Sequence, residues 1–158
     1  MTEPAFDSAR FRQVLGHFPT GVCVVAGFHD DKPVGLAIGS FFSVSLAPPL
    51  VGFCAGKTSS TWPKLQAAGS FCINVLAEDQ EDVSRVFASK EPDKFVGVGW
   101  DRSPLGSPRL RGALAWIDCE LDAVHQAGDH DIAVGAVLDL GVGHEGGPLV
   151  FFRGGYGV

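Results

Sequence analysis

The chain has 158 residues, of which 46% are hydrophobic and 19% charged, a profile that predicts one globular domain over residues 1–158 and excludes a disordered or two-domain chain. Its formal net charge of −6 and its scattered 12 Lys and Arg residues argue against a nucleic-acid partner. No uncharged apolar run is long enough to span a bilayer, and the N-terminus lacks the pattern of a signal peptide, so we expect no membrane association and a cytoplasmic location.

The N-terminal region predicts one amphipathic helix, and strands follow it. Apolar residues recur at helical spacing from Phe11 to Phe18. Asp7 or Ser8 can cap this helix, and Pro19 ends it. Beyond it, β-branched and aromatic residues come in short runs separated by Gly, Pro and Asp, which is typical of strands. The predicted strands are residues 22–28, 34–38, 41–46, 50–54, 71–76, 113–125, 131–140 and 149–152.

Two further helices are predicted, at residues 60–68 and 81–88, the first closed by Gly69 as a left-handed cap. The step Asp30-Asp31 indicates a hairpin between the first two strands. Because full-length helices rarely alternate with the strands, the parallel sheet of a doubly wound fold is disfavoured. We predict a mainly β fold, a closed antiparallel barrel with peripheral helices.

The four cysteines predict buried, reduced thiols. Each lies singly inside an apolar run, without a C-x-x-C pair or a nearby His at ligand spacing. A chain of this length can build its own core and does not need a disulfide framework. The cysteines are Cys23, Cys54, Cys72 and Cys119.

Residues 141–146 match the dinucleotide-binding pattern G-x-G-x-x-G, but their context does not support that function. The pattern requires a following helix, a second strand and an acidic residue about 20 positions further on. The chain ends at Val158, so we predict a glycine-rich loop.

Residues 57–63 lie between a predicted strand and a predicted helix, and they combine hydroxyl side chains with Lys57. Hydroxyls and free backbone N–H groups at a helix start suit a phosphate. Ordinary capping of the helix by Ser59 or Ser60 explains the same residues equally well.

The segment Gly128-Asp129-His130-Asp131, with His125 before it, allows three interpretations. A metal site is disfavoured, because the spacing of the two histidines matches no ligand signature. The turn can instead present an imidazole whose tautomer Asp129 fixes, or it can be a solvated hairpin tip. The sequence has no G-x-S-x-G elbow, so an enzyme of this sequence would take its reactivity from a cofactor.

Several segments taken together resemble the short-chain flavin reductases, the reductase components of two-component flavin-dependent monooxygenases. Within that family, residues 89–95 and Val124-His125 are most similar to the reductases that serve hydroxy-secosteroid monooxygenases. The resemblance extends from about residue 6 to residue 156. It is carried by residues 18–22, 39–51, 71–76, 89–95, 128–130 and 148–154.

This resemblance implies an FMN-binding split β-barrel, antiparallel and of Greek-key type, that forms a homodimer with the flavin near the subunit interface. It implies an NAD(P)H-dependent enzyme that transfers hydride from NADH to FMN or FAD and supplies the reduced flavin to a partner monooxygenase. The alternative is a non-catalytic flavin- or heme-binding split barrel that acts as a carrier or sensor.

The resemblance also implies which residues contact the flavin. Ser60 and Thr61 would hold its phosphate, and the ring and ribityl chain would lie along two strands. Many relatives carry Thr at the position of Ala37 and Ser or Asn at Gly39, so backbone contacts are expected to dominate here. The implied strand residues are Pro33, Val34, Gly35, Leu36, Ala37, Gly39, Ser40, Cys54, Ala55 and Gly56.

For the nicotinamide side, the resemblance implies His130 with Asp129 as the catalytic residues. An imidazole or aromatic face can stack on the nicotinamide, and an arginine can meet a cofactor phosphate or carboxamide. Because side chains alternate along a strand, only one of two successive phenylalanines can point at the ligand. The other implied residues are Phe151, Phe152, Arg153 and Gly154.

Overall fold

The computed structural model describes residues 2–157, which form a mainly β, antiparallel fold with three short helices. The helices are α1 (Ser8–Leu15), α2 (Trp62–Ala68) and α3 (Glu81–Ala88). The strands are β1 (Thr20–Gly21), β2 (Cys23–His29), β3 (Lys32–Ile38), β4 (Phe42–Leu46), β5 (Pro49–Gly56), β6 (Ser70–Val75), β7 (Trp100–Arg102), β8 (Pro108–Leu110), β9 (Ala115–Ala127), β10 (His130–Val142), β11 (Val150–Phe152) and β12 (Gly155–Tyr156).

Seven strands form the main sheet in the order β3-β2-β6-β9-β10-β5-β4, and every neighbouring pair is antiparallel. A small sheet contains β1, β11 and β12, and β7 pairs with β8. These findings confirm the predicted mainly β, antiparallel fold with peripheral helices. Within residues 2–157, however, backbone hydrogen bonds do not close the sheet, because β3 and β4 are its two ends. The expected closed barrel is therefore split.

The predicted elements agree with the structure wherever they are long enough to show a pattern. The eight predicted strands correspond to β2–β6 and β9–β11, and all three helices are present. The Asp30-Asp31 hairpin is confirmed, since both residues have positive φ (49° and 60°), as a two-residue type I′ turn requires. Residues 143–146 of the glycine-rich stretch form an irregular segment, as predicted, whereas Gly141 and Val142 belong to the end of β10.

Helix α1 differs from the prediction at its C-terminal end. The Asp7 side chain caps it by accepting a hydrogen bond from the Arg10 N–H, as expected. The helix ends at Leu15 rather than Phe18, because His17 and Phe18 donate to carbonyls three residues back and tighten the last turn. None of its side chains is buried, so the apolar stripe of this helix is uncovered in the single chain.

Alternate side chains of β2 enter two cores, one on each face of the sheet. In the first core, the ring of Phe53 lies edge-on against Trp62 and Phe71, at centroid distances of 5.6 and 5.5 Å. In the second, Phe87 of α3 packs edge-on against Phe95 at 4.9 Å. Helices α2 and α3 are thereby fixed on opposite faces of β2.

Buried Asn74 joins the main sheet to the β7–β8 hairpin. Its amide group donates to the carbonyls of Val24, Cys72 and Pro108, each at 3.3 Å. Its side-chain oxygen accepts the N–H of Leu110 at 2.9 Å. One side chain thus satisfies backbone groups of β2, β6 and β8.

The four cysteines are free thiols, and Cys23, Cys72 and Cys119 are buried, as predicted. Burial raises the pKa of Cys23 and of Cys119 to about 12 each, and it raises the pKa of Cys72 further. Cys54 differs, because it is only partly buried. No helix in residues 2–157 has the length and apolar character needed to cross a membrane.

Candidate active site

The split in the sheet separates β3 from β5. β3 pairs only with β2, and β4 pairs with β5 only at the start of β5, from Pro49 to Gly52. Ser40 bridges the gap: its Oγ accepts the Cys54 N–H at 2.8 Å and donates to the Cys54 carbonyl at 3.2 Å. The facing strand edges beyond this bridge form no ladder within residues 2–157, so their backbone groups are available to a ligand.

A groove runs along this split. Its larger part encloses about 710 Å³ between β3, the loop that leads into α2, and the end of α3 with the segment after it. Its smaller part encloses about 330 Å³ between the ends of β3 and β5. Leu36, Ala37 and Gly56 line both parts, so the groove is continuous.

Most of the residues predicted from the sequence line this groove. They come from separate segments of the chain that the sheet brings together. The residues are Pro33, Val34, Gly35, Leu36, Ala37, Gly39, Ser40, Cys54, Ala55, Gly56, Ser60, Thr61 and His130.

Phe151, Phe152, Arg153 and Gly154 do not line either part of the groove in this chain. Arg153 and Gly154 line a separate cleft of about 400 Å³ beside α1. The two rings diverge, as expected along a strand, with Phe151 edge-on to Tyr156 and Phe152 edge-on to His17. β11 is nevertheless next to one end of the groove. It pairs with β1, and Thr20 of β1 is close to Gly39: a Cβ atom built on Gly39 would lie 3.0 Å from Thr20 Oγ1.

His130 lies at the tip of the β9–β10 hairpin, where Gly128 has φ of 64°. Asp129 Oδ1 is 2.8 Å from His130 Nδ1, and this hydrogen bond lowers the pKa of Asp129. Since an ionised carboxylate only accepts, Nδ1 carries the proton and Nε2 is the free ring nitrogen. A Cβ atom built on Gly56 would lie 3.8 Å from Nε2, so the ring is beside Gly56, which lines both parts of the groove. The ring is half exposed, so the turn is also solvated.

Asp131 connects this hairpin to the loop before α2. Its Oδ2 accepts the indole N–H of Trp62 at 2.9 Å, and its Oδ1 is 3.9 Å from Lys57 Nζ. The backbone N–H of Lys57 donates to the Asp129 carbonyl at 3.0 Å. The His130 turn and the hydroxyl-rich loop are therefore held together by one set of contacts.

The hydroxyl-rich loop combines features of both interpretations of the sequence. Ser59 Oγ accepts the N–H groups of Thr61 and Trp62, both at 3.2 Å, at the start of α2, although the N-cap residue is Thr61 and its own side chain makes no capping bond. Thr58, Ser59, Ser60 and Thr61 all line the groove. α2 begins at Trp62, two residues later than predicted.

The wall opposite β3 was not predicted as part of the site. It consists of the end of α3 and the following segment, from Phe87 to Phe95. Lys94 Nζ donates to the carbonyls of Phe87 at 3.1 Å and Gly35 at 3.3 Å, and so ties this wall to β3. Burial, and next the charge of Lys64, lower the pKa of Lys94. The sequence feature that could have indicated this wall is the pair of lysines, Lys90 and Lys94, in the motif at residues 89–95.

The groove fits a flavin. One end offers apolar side chains, glycines and unpaired strand edges, which suit a flat ring. The other end offers the hydroxyls of Thr58, Ser60 and Thr61 with the lysine ammonium groups, which suit a phosphate. The arrangement defines a site for a ring that carries an anionic tail.

The comparisons with known proteins agree with this class. Residues 15–158 match the family described as flavin reductase like domain, and the chain belongs to that family. It is 51% identical over 154 residues to a flavin reductase from Pseudomonas putida, covering 97% of this chain and 91% of the relative. It is also 51% identical over 152 residues to HsaB, the reductase subunit of a flavin-dependent monooxygenase from Rhodococcus jostii, covering 96% and 78%.

Solved structures show the same similarity. A nitrilotriacetate monooxygenase component B homologue from Mycobacterium thermoresistibile superimposes with a TM-score of 0.92 at 48% identity, covering 96% of this chain and 86% of the other. The NADH:FAD oxidoreductase SgcE6 from Streptomyces globisporus, in complex with NAD and FAD fragments, gives 0.90 at 35% identity, covering 96% and 92%. The prediction of a flavin reductase is confirmed, and the chain is an oxidoreductase.

Proposed function

We propose that the groove is the flavin site of this reductase and that hydride transfer from NADH to FMN or FAD takes place at its His130 end. The observation that carries the proposal is the continuity of the groove from the His130 turn to the hydroxyls of Ser60 and Thr61. A flavin placed along it would have its phosphate at the hydroxyl end and its ring near the imidazole.

Each part of the groove has a distinct task in this proposal. The edges of β3 and β5 offer backbone hydrogen-bonding groups to the ring, which compensates for the small side chains of Ala37 and Gly39. Asp129 orients the His130 ring, and its free Nε2 edge and ring face are available to the nicotinamide. Phe151 to Gly154 belong to the nicotinamide side through the contact of β1 with the Gly39 end.

The redox chemistry is supplied by the bound nicotinamide and flavin, with NADH as the hydride donor. The chain contributes binding, orientation and exclusion of water. No proton transfer by a side chain is required, which agrees with the solvated setting of His130.

The reduced flavin leaves for a partner monooxygenase in this proposal. Support comes from the relatives named above, of which one is the reductase subunit of a flavin-dependent monooxygenase. An enzyme that releases reduced flavin to a partner needs an open site, and the groove lies at the surface and is bounded by loops. A cytoplasmic location agrees with the four free thiols.

A homodimer is part of the same proposal. The apolar stripe of α1 is uncovered, with Phe18 74% exposed. A second apolar surface, which we call the sheet-end patch, consists of Val44, Leu46, Leu138, Leu140 and Val142. Val44 and Leu46 are on β4, and the other three residues are on the part of β10 that continues past its pairing with β5, which ends at Ala136. Apolar surfaces of this kind mark contacts with another chain.

The test is NADH consumption by the purified protein without added flavin, with FMN and with FAD, each against a control without protein. We expect turnover that rises with added flavin and saturates. Flavin retained through purification, with no NADH oxidation under any condition, would overturn the proposal and favour the non-catalytic carrier or sensor.

A further inference from the structure

Three lysines line the larger part of the groove, although the chain as a whole carries a net charge of −6. Lys64 is on α2, and Lys90 and Lys94 follow α3. Within residues 2–157, no carboxylate oxygen lies within 4.0 Å of any of these ammonium groups, even though Glu91 also lines the groove. Among the described residues, the three groove lysines therefore form no ion pair, and they outnumber the one carboxylate, Glu91, that lines the groove with them.

Lys94 differs from the other two lysines because its ammonium group is held in place. It donates to two backbone carbonyls, that of Gly35 on β3 and that of Phe87 on α3, and these two elements pack directly against each other. A flexible surface lysine loses side-chain entropy when it meets an anion, whereas a side chain that is already fixed loses little. Lys94 is also part-buried, so its charge is screened less than that of an exposed lysine.

We propose that Lys94, supported by Lys64, is the specificity-determining residue by which this reductase selects phosphate-bearing flavins over riboflavin. The inference rests on the proposed function, because it assumes that the groove binds the flavin. Ser60 and Thr61 can donate hydrogen bonds to a phosphate, but neutral hydroxyls alone discriminate weakly between a phosphate and the ribityl hydroxyl of riboflavin. A fixed, unneutralised ammonium group attracts only the phosphate.

The neighbouring Lys64 strengthens this selection. Two like charges in one groove repel each other while the groove is empty, and the charge of Lys64 already lowers the pKa of Lys94. A dianionic phosphate between them replaces repulsion with attraction. Riboflavin leaves the repulsion in place, so the two flavins differ in affinity although they share one ring system.

The experiment compares binding of FMN and of riboflavin to the wild-type chain and to Lys94→Met, by quenching of flavin fluorescence. We expect FMN to bind at least about tenfold more weakly to the variant and riboflavin to stay within about twofold, so that the preference for FMN falls. Lys94→Arg should recover part of the preference, because it keeps the charge. Lys32→Met is the matched control, since Lys32 is exposed at the β2–β3 turn and does not line the groove.

Equal weakening of both flavins by Lys94→Met would overturn the proposal and leave Lys94 as a structural tie between the walls. An unchanged FMN preference would overturn it as well. Should Lys94→Met fail to fold, Lys64→Met provides the same comparison from an exposed position on α2, and an unchanged preference there would count against the proposal. Failure of the proposed function would give a different result, because neither the wild-type chain nor any variant would oxidise NADH with any flavin.

Discussion

His130 is the residue whose role depends most on geometry that local sequence cannot show. Its neighbour Asp129 predicts a fixed tautomer, and the 2.8 Å contact agrees with that hypothesis. Only the pairing of β10 with β5, which sets His130 opposite Gly56, brings the ring to the groove. Asp131 reinforces the position by holding the indole N–H of Trp62 at the start of α2.

We expect His130→Ala to raise the KM for NADH by about tenfold or more while the Kd for flavin changes by less than about twofold. The reason is that the imidazole lines the smaller part of the groove, whereas Ser60 and Thr61 line the larger part, so its loss removes a nicotinamide contact and leaves the phosphate contacts in place. Steady-state kinetics and flavin titration measure the two quantities separately. His144→Ala, in the exposed segment after β10, is the control. Equal loss of both affinities would contradict the assignment.

The hydroxyl-rich loop shows that one stretch of sequence can combine two roles. Capping and phosphate binding are equal alternatives for these residues in the sequence. In the structure Ser59 Oγ accepts the N–H groups of Thr61 and Trp62, and Ser59, Ser60 and Thr61 all line the groove. The two interpretations therefore do not exclude each other, and composition alone does not show this.

At the scale of elements, the sequence predicts those whose pattern extends over several residues. β9 and β10 have 13 residues each and were predicted from their runs of β-branched and apolar residues, whereas β7 and β8 have three each and were missed. The second wall of the groove was missed for another reason. The segment after α3 carries two lysines but no periodic pattern that indicates a groove, and its position beside β3 results from the packing of Phe87.

Gly35 shows how closely those two elements approach. A Cβ at this position would lie 2.8 Å from Cε1 of Phe87, so α3 packs directly onto the backbone of β3. Phe87 cannot retreat easily, because Phe95 lies edge-on against it. A glycine within a strand is typical of a place where another part of the chain or a ligand approaches the backbone closely, but the sequence does not show which element approaches.

The β7–β8 hairpin depends on Asn74 for its attachment to the main sheet, and this contact gives a prediction about stability. We expect Asn74→Ala to lower the free energy of unfolding by about 2–4 kcal/mol, because the buried N–H of Leu110 and three carbonyls lose their partner. Urea unfolding followed by tryptophan fluorescence measures the loss. Glu120→Ala, at an exposed position of β9, is the control and should change stability little. A loss under about 0.5 kcal/mol would show that water replaces these bonds.

At the scale of the whole molecule, the largest difference from the sequence prediction concerns burial. The apolar stripe of α1 predicts a helix packed on its own domain, but the single chain leaves this stripe exposed. The apolar periodicity of a helix indicates that one of its faces is covered. It does not show whether the same chain or another chain covers that face. The sheet-end patch presents the same situation, with Val142 84% exposed.

The homodimer proposal makes a prediction about mass. The wild-type chain should have twice its 16.6 kDa mass in solution, and the double substitution Leu140→Asp and Val142→Asp should shift it toward the monomer. Light scattering coupled to size exclusion measures this mass. Lys32→Asp, which changes charge at a distant turn, should leave the dimer intact. A monomeric wild-type chain, or a dimer that tolerates charges in the patch, would rule out this surface as the interface.

The burial of the thiols affects how readily the enzyme is oxidised during turnover. Reduced flavin that meets dioxygen is reoxidised and yields hydrogen peroxide, so the enzyme works beside a source of oxidant. Peroxide attacks the thiolate form of cysteine. Because their pKa is raised to about 12, the buried Cys23 and Cys119 stay almost entirely protonated at neutral pH. Under the proposed function, oxidative damage should therefore begin at the partly exposed Cys54, which lines the groove proposed to bind the flavin.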